Sequence, residues 1–81
     1  MENKITVVFK TDKINVDIEI PTDISAYELL LGLNRAYGLG ITDLKIARSS
    51  LSSENPTALL KGGKKLYQYG IHNGTVIYYR S

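Results

Sequence analysis

Two stretches near the N-terminus alternate between apolar and polar positions. In the first, Ile5, Val7 and Phe9 share one parity, with Thr6, Val8 and Lys10 on the other. In the second, Ile14, Val16, Ile18 and Ile20 alternate with Asn15, Asp17 and Glu19. Successive side chains of a strand point to opposite faces, so each stretch predicts a strand with one apolar face; the second keeps its other face in water. Thr11-Asp12-Lys13 between them is a turn, which makes the pair a hairpin. Pro21 has no N–H for a sheet ladder and ends the second strand.

The period then changes. Leu29, Leu30, Leu33, Ala36 and Tyr37 recur at helical spacing. Ser25 and Glu28 have the spacing of a capping box, in which each side chain satisfies a free backbone N–H of the other residue, and Ile24 and Leu29 stand as a hydrophobic staple. Gly38 is the usual residue for a left-handed C-cap. The pattern predicts a helix over Ala26–Tyr37, roughly 18 Å long at 1.5 Å per residue. Gly32 inside it costs about 1 kcal/mol relative to Ala, and is read as a point of close approach to a strand.

Beyond Gly40, Leu44, Ile46 and Arg48 share one parity with Lys45 and Ala47 on the other, which predicts a short third strand. Residues 49–57 (SSLSSENPT) read as a flexible polar loop. Ala58-Leu59-Leu60 reads as a short strand, Lys61-Gly62-Gly63-Lys64 as a turn, Leu66 to Ile71 as one helical turn, and Thr75 to Tyr79 as the last strand. The apolar run from Val76 to Tyr79 suits a central strand. Beside the first strand it runs parallel, because the helix serves as a crossover. One helix covers one face of a sheet, so the class is α+β with two layers.

The chain has 81 residues, enough for a single domain spanning 1–81. A chain of this size buries about 60–65% of its unfolded surface and leaves little room for a deep active-site cavity. The net charge of +2 points to neither nucleic acid nor membrane, and the absence of cysteine excludes disulfides, thiol catalysis and thiolate metal sites. No apolar run approaches the roughly 20 residues of a membrane span. MENKITVVFK lacks the continuous apolar core of a signal peptide, so a cytoplasmic location is expected.

Candidate chemistry is sparse. Gly62-Gly63-Lys64-Lys65 lacks the spacing of a phosphate loop and reads as a hairpin turn. His72 has no Asp, Glu or Cys beside it to complete a metal set and reads as an exposed turn residue. Lys61, Lys64 and Lys65 form a basic cluster that reads as a solvated turn; a small nucleic-acid-binding domain is the alternative it leaves open. No nucleophile stands with a base, so neither an enzyme nor a cofactor or small-molecule substrate is expected.

The element order, together with Leu66-Tyr67-Gln68-Tyr69-Gly70-Ile71, resembles the ubiquitin fold, the β-grasp: ββαββ with a short additional strand, one helix packed on a mixed sheet. Tyr69-Gly70-Ile71-His72-Asn73-Gly74, followed by an apolar strand, is similar to the ending of the YukD/EsaB family, small ubiquitin-like proteins that accompany type VII (WXG100) secretion systems in Gram-positive bacteria. The resemblance implies a non-enzymatic interaction module that docks on a larger protein, such as membrane-bound secretion machinery. It also implies that the Tyr69 hydroxyl caps backbone near Lys61 to Gly63.

Modifiers and sulfur carriers of this fold end in Gly-Gly, whereas this sequence ends Tyr79-Arg80-Ser81, so conjugation is not expected. A modifier or carrier truncated before its tail is the other reading. With Ile77 and Tyr79 turned to the helix, Val76, Tyr78 and Arg80 face outward. The resemblance places the third strand beside them, which adds Lys45 and Ala47 to an aromatic and basic patch, with Lys45 where ubiquitin has an exposed isoleucine. These five residues are the expected protein-binding surface. The pattern leaves the oligomeric state open.

Overall fold

The alternation over residues 5–20 becomes the predicted hairpin. In the computed structural model, which describes residues 4–80, β1 (Lys4–Lys10) pairs antiparallel with β2 (Asn15–Pro21). The expectations drawn from the first three residues and from Ser81 fall outside that range. After β2 come α1 (Ala26–Tyr37), a short helical turn α2 (Asp43–Ile46), β3 (Leu51–Glu54), β4 (Ala58–Leu60), a 3₁₀ turn (Leu66–Tyr69) and β5 (Val76–Tyr78). The sheet order is β2-β1-β5-β3-β4. β5 is central and parallel to β1, as the crossover argument requires.

The core lies between the inner face of the sheet and α1. Val7, Phe9 and Ile77 are fully buried there, against Leu29, Leu30 and Leu33 of the helix, with Leu51, Leu60 and Leu66 closing the far side. The start of α1 is fully satisfied. Ser25 Oγ accepts from the Glu28 N–H and Glu28 Oε1 accepts from the Ser25 N–H, both at 3.0 Å. The Ala26 and Tyr27 N–H groups donate to the carbonyls of Lys64 and Gly62, at 3.0 and 2.9 Å. At the other end Gly38 is left-handed (φ 61°, ψ 50°). Asn34 then ties the following loop down: its side chain donates to the Ile41 carbonyl (3.0 Å) and accepts the Ile41 N–H (3.1 Å).

Three expectations are corrected. Residues 44–48 are not a strand. The Lys45 and Ile46 N–H groups both turn back to the Thr42 carbonyl at 2.9 Å, and Leu44, counted on the apolar parity, is 90% exposed. The third strand lies instead in the stretch read as a flexible loop. Leu51 and Ser53 face inward, both buried, and Ser53 is accommodated because its hydroxyl donates to the Pro56 carbonyl at 2.7 Å. Gly32 brings no strand close: nothing lies within 4 Å of where its Cβ would stand.

Candidate functional site

Directly paired residues of neighbouring strands lie on one face, so the ladder registers define the outer surface of the sheet. One row across it reads Leu59, Ser52, Tyr78, Lys10, Asn15; the next reads Glu54, Val76, Val8, Asp17. Val76 and Tyr78 therefore sit outward at the middle of the sheet, as predicted, while Ile77 is buried and Tyr79 packs against the core.

The side chains around Tyr78 are linked. Its hydroxyl donates to Glu54 Oε1 at 3.1 Å, and the Arg80 guanidinium lies 5.1 Å from the ring centroid. Desolvation raises the phenol above its usual range, the hydrogen bond to the Glu54 carboxylate raises it further, and Arg80 opposes both. An open groove of about 460 Å³ runs past Tyr78, between Lys10, Asp12, Glu54, Val76 and Arg80. Its lining mixes two cations, two carboxylates and the apolar surfaces of Val76 and the two tyrosines. Such a groove can grip a side chain of another protein; it assembles no nucleophile with a base, and no group of metal-ligating side chains occurs among the described residues.

Of the five predicted contact residues, the structure brings Val76, Tyr78 and Arg80 together. Lys45 belongs to α2 and Ala47 caps it, so neither is on the sheet, and Lys45 does not occupy the place of an exposed strand isoleucine. The outward residues of β3 are Ser52 and Glu54. Sequence reasoning also passed over Leu59, 61% exposed on β4, and Val8 and Lys10 on β1. The parity of Leu59 between Ala58 and Leu60 was the available signal for the first.

The remaining candidates are structural. Tyr69 Oη accepts the Lys61 N–H (3.3 Å) and donates to the Lys61 carbonyl (3.0 Å), within the stretch expected. The Lys61–Lys65 turn directs carbonyls at the N-terminus of α1, the reverse of the N–H groups a phosphate needs. Two of its three cations are engaged: Lys64 Nζ stands 4.6 Å from the Tyr69 ring centroid, and Lys65 Nζ is 3.9 Å from Glu28. His72 is exposed, with Nδ1 at 2.8 Å from the Asn73 carbonyl. The neighbouring Asn73 takes the Thr6 N–H on Oδ1 at 2.8 Å and so pins the last turn to β1. No helix of the described residues is long and apolar enough to cross a membrane.

The profile of the family described as "WXG100 protein secretion system (Wss), protein YukD" matches residues 4–78. Among solved structures the chain is similar to the C-terminal ubiquitin-like domain of mouse tubulin-specific chaperone e. The TM-score is 0.75 at 16% identity, over 98% of this chain and 87% of that one. It is similar to the ubiquitin-like domain of Plasmodium falciparum Dsk2, with a TM-score of 0.66 at 20% identity over 95% and 96% of the two chains. It is also similar to the ubiquitin-like domain of the Mycobacterium tuberculosis type VII secretion system protein ECCD1, with a TM-score of 0.58 at 17% identity over 96% and 98%. At these identities the likenesses establish the ubiquitin-like fold. No curated protein matches the sequence.

Proposed function

Because the chain belongs to the YukD family of WXG100 secretion-system proteins, we propose that it is a cytoplasmic accessory or regulatory component of a type VII secretion system. It acts without catalysis or cofactor, by docking the outer face of its sheet on a larger protein such as the membrane-bound machinery. The observation that carries the reading is the Val76-Tyr78-Arg80 cluster at the centre of that face, with Val8 paired to Val76 and an exposed Leu59 beyond Ser52 on the same face. Tyr and Arg are the residue types that dominate interface hot spots when an apolar surround excludes water. The groove beside Tyr78 supplies a recess for a partner side chain, and the Tyr78–Glu54 and Arg80–Tyr78 contacts hold its walls in place before binding. Less ordering is then needed on association.

The test is calorimetric titration of the protein against the cytoplasmic regions of the secretion system's membrane proteins. Changing Tyr78 and Arg80 together to Ala is expected to weaken binding at least tenfold, about 1.4 kcal/mol, with the circular dichroism spectrum unchanged. Unaltered affinity in a folded double variant refutes the assignment of this face.

A further inference from the structure

The sheet has a free edge at β2 among the described residues. The backbone bonds of β1 show which groups that edge presents. Thr6 gives its N–H to Asn73 Oδ1 (2.8 Å) and accepts the Gly74 N–H at its carbonyl (2.9 Å). The Val8 N–H goes to the Thr75 carbonyl (3.0 Å), and the Lys10 carbonyl accepts from Tyr79 (3.1 Å). Even-numbered residues of β1 therefore bond toward β5 and odd-numbered ones toward β2, where they meet Val16, Ile18 and Ile20. The N–H and C=O groups of Asn15, Asp17 and Glu19 are left pointing off the sheet. Pro21, with no N–H, closes the edge.

Alongside this edge, on the inner side, an open cleft of about 250 Å³ runs between β2 and α1. Ile18, Ile24, Leu29, Leu33 and Tyr37 line it, together with Gly32, and Glu19 and Glu28 also border it, Glu28 with its carboxylate tied to the Ser25 N–H. Gly32 has no positive φ, and nothing lies within 4 Å of where its Cβ would be. The fold thus requires no glycine at this mid-helix position, where glycine is unfavourable. Its structural effect is to keep the cleft open.

We infer that this edge and cleft are a second binding site, separate from the outer face, for an extended segment of a partner protein that adds to β2 as a sixth strand. Strand addition of this kind draws affinity from main-chain bonds and specificity from pockets for alternate side chains. The segment's inward side chains are apolar and enter the cleft. Its outward side chains are basic, because they lie opposite Asp17 and Glu19 on the exposed face of β2, where the ion pair of Lys4 Nζ with Glu19 is long and exposed, at 4.0 Å. A second copy of this chain does not fit. The antiparallel registers that overlap β2 on β2 over most of its length set Asp17 against Asp17, Asp17 against Glu19, or Glu19 against Glu19 of the other copy, and like charges directly opposed are unfavourable.

The test titrates the isotope-labelled protein with a synthetic peptide of about nine residues alternating lysine with valine, long enough to span β2 at about 3.3 Å per residue. The largest amide shifts are expected at Asp17, Glu19 and Gly32. Replacing the lysines by glutamate, or N-methylating the amides that face β2, is expected to weaken binding at least tenfold. Gly32→Gln fills the cleft and is expected to weaken binding by the same factor without lowering the melting temperature. The inference is overturned if the largest shifts fall on Val76 and Tyr78, if Gly32→Gln binds as tightly as the parent, or if sedimentation shows the protein dimerising through its own β2 edge.

Discussion

Gly32 and Gly38 stand six residues apart in and after the same helix, and the same substitution at each is expected to have opposite signs. Neither position offers a steric objection: nothing lies within 4 Å of the place a Cβ would take at either one. What differs is the backbone. Gly32 is in the interior of α1 with no positive φ, so Gly32→Ala removes the helix penalty of glycine and restricts the unfolded chain. The gain is about 0.8–1 kcal/mol. Gly38 is left-handed at φ 61°, where alanine is strained by roughly 1–2 kcal/mol. Part of that is offset by the loss of unfolded-state freedom, leaving a net destabilisation of about 1 kcal/mol. In a domain of this size 1 kcal/mol corresponds to roughly 4–8 °C in Tm. Circular dichroism melts should therefore show Gly32→Ala about 3–8 °C above the parent and Gly38→Ala about 4–8 °C below it. A fall in Tm for Gly32→Ala would refute the reasoning, because it would mean that the fold itself needs the glycine and that the open cleft is incidental.

Two further predictions concern the joint between α1 and the Lys61–Lys65 turn. Hydrogen bonds from the Ser25 N–H and then the Ser25 hydroxyl hold the Glu28 carboxyl below its usual value of 4.5, and Lys65 acts in the same direction. A folded-state pKa lowered in this way contributes stability that is present above about 4.5 and lost as the pH falls through the lowered value. The Tm difference between the parent and Glu28→Gln should accordingly shrink between about pH 6 and about pH 3; a gap that widens on acidification would contradict the capping geometry. Tyr69→Phe removes both bonds to Lys61, and because those peptide groups can turn to water the loss should be only about 1 kcal/mol. Hydrogen exchange at the Ala26 and Tyr27 amides, which the same turn caps, should quicken, and unchanged exchange would show that the hydroxyl does not hold the turn.

The local elements were legible wherever their signal was local. The alternation of Ile14, Val16, Ile18 and Ile20 determines a strand, because a period of two has one face to bury and one to wet. Ser25, Glu28 and Gly38 determine where α1 begins and ends, because caps act through neighbouring residues. The outward direction of Val76 and Tyr78 followed from parity alone. The third strand was not legible, because alternation over a handful of residues is weak and burial overrode it in both directions. Leu44 had the parity and went to solvent, whereas Ser53 had the polarity and went inside, its hydroxyl satisfied by the Pro56 carbonyl.

The candidate site divides in the same way. The residues that face outward on β5 are a property of the strand itself. Which side chains stand beside them is a property of register between segments distant in sequence, so only the folded sheet puts Glu54 beside Tyr78, sets Leu59 beyond Ser52 in the same row, and removes Lys45 and Ala47. The free backbone groups of β2 and the cleft over Gly32 exist only once the hairpin has docked against α1. Sequence determined what each segment can be, because propensity and capping act within a few residues. Tertiary structure decided which segments meet, because hydrogen-bonding and burial partners distant in sequence are chosen only when the chain packs.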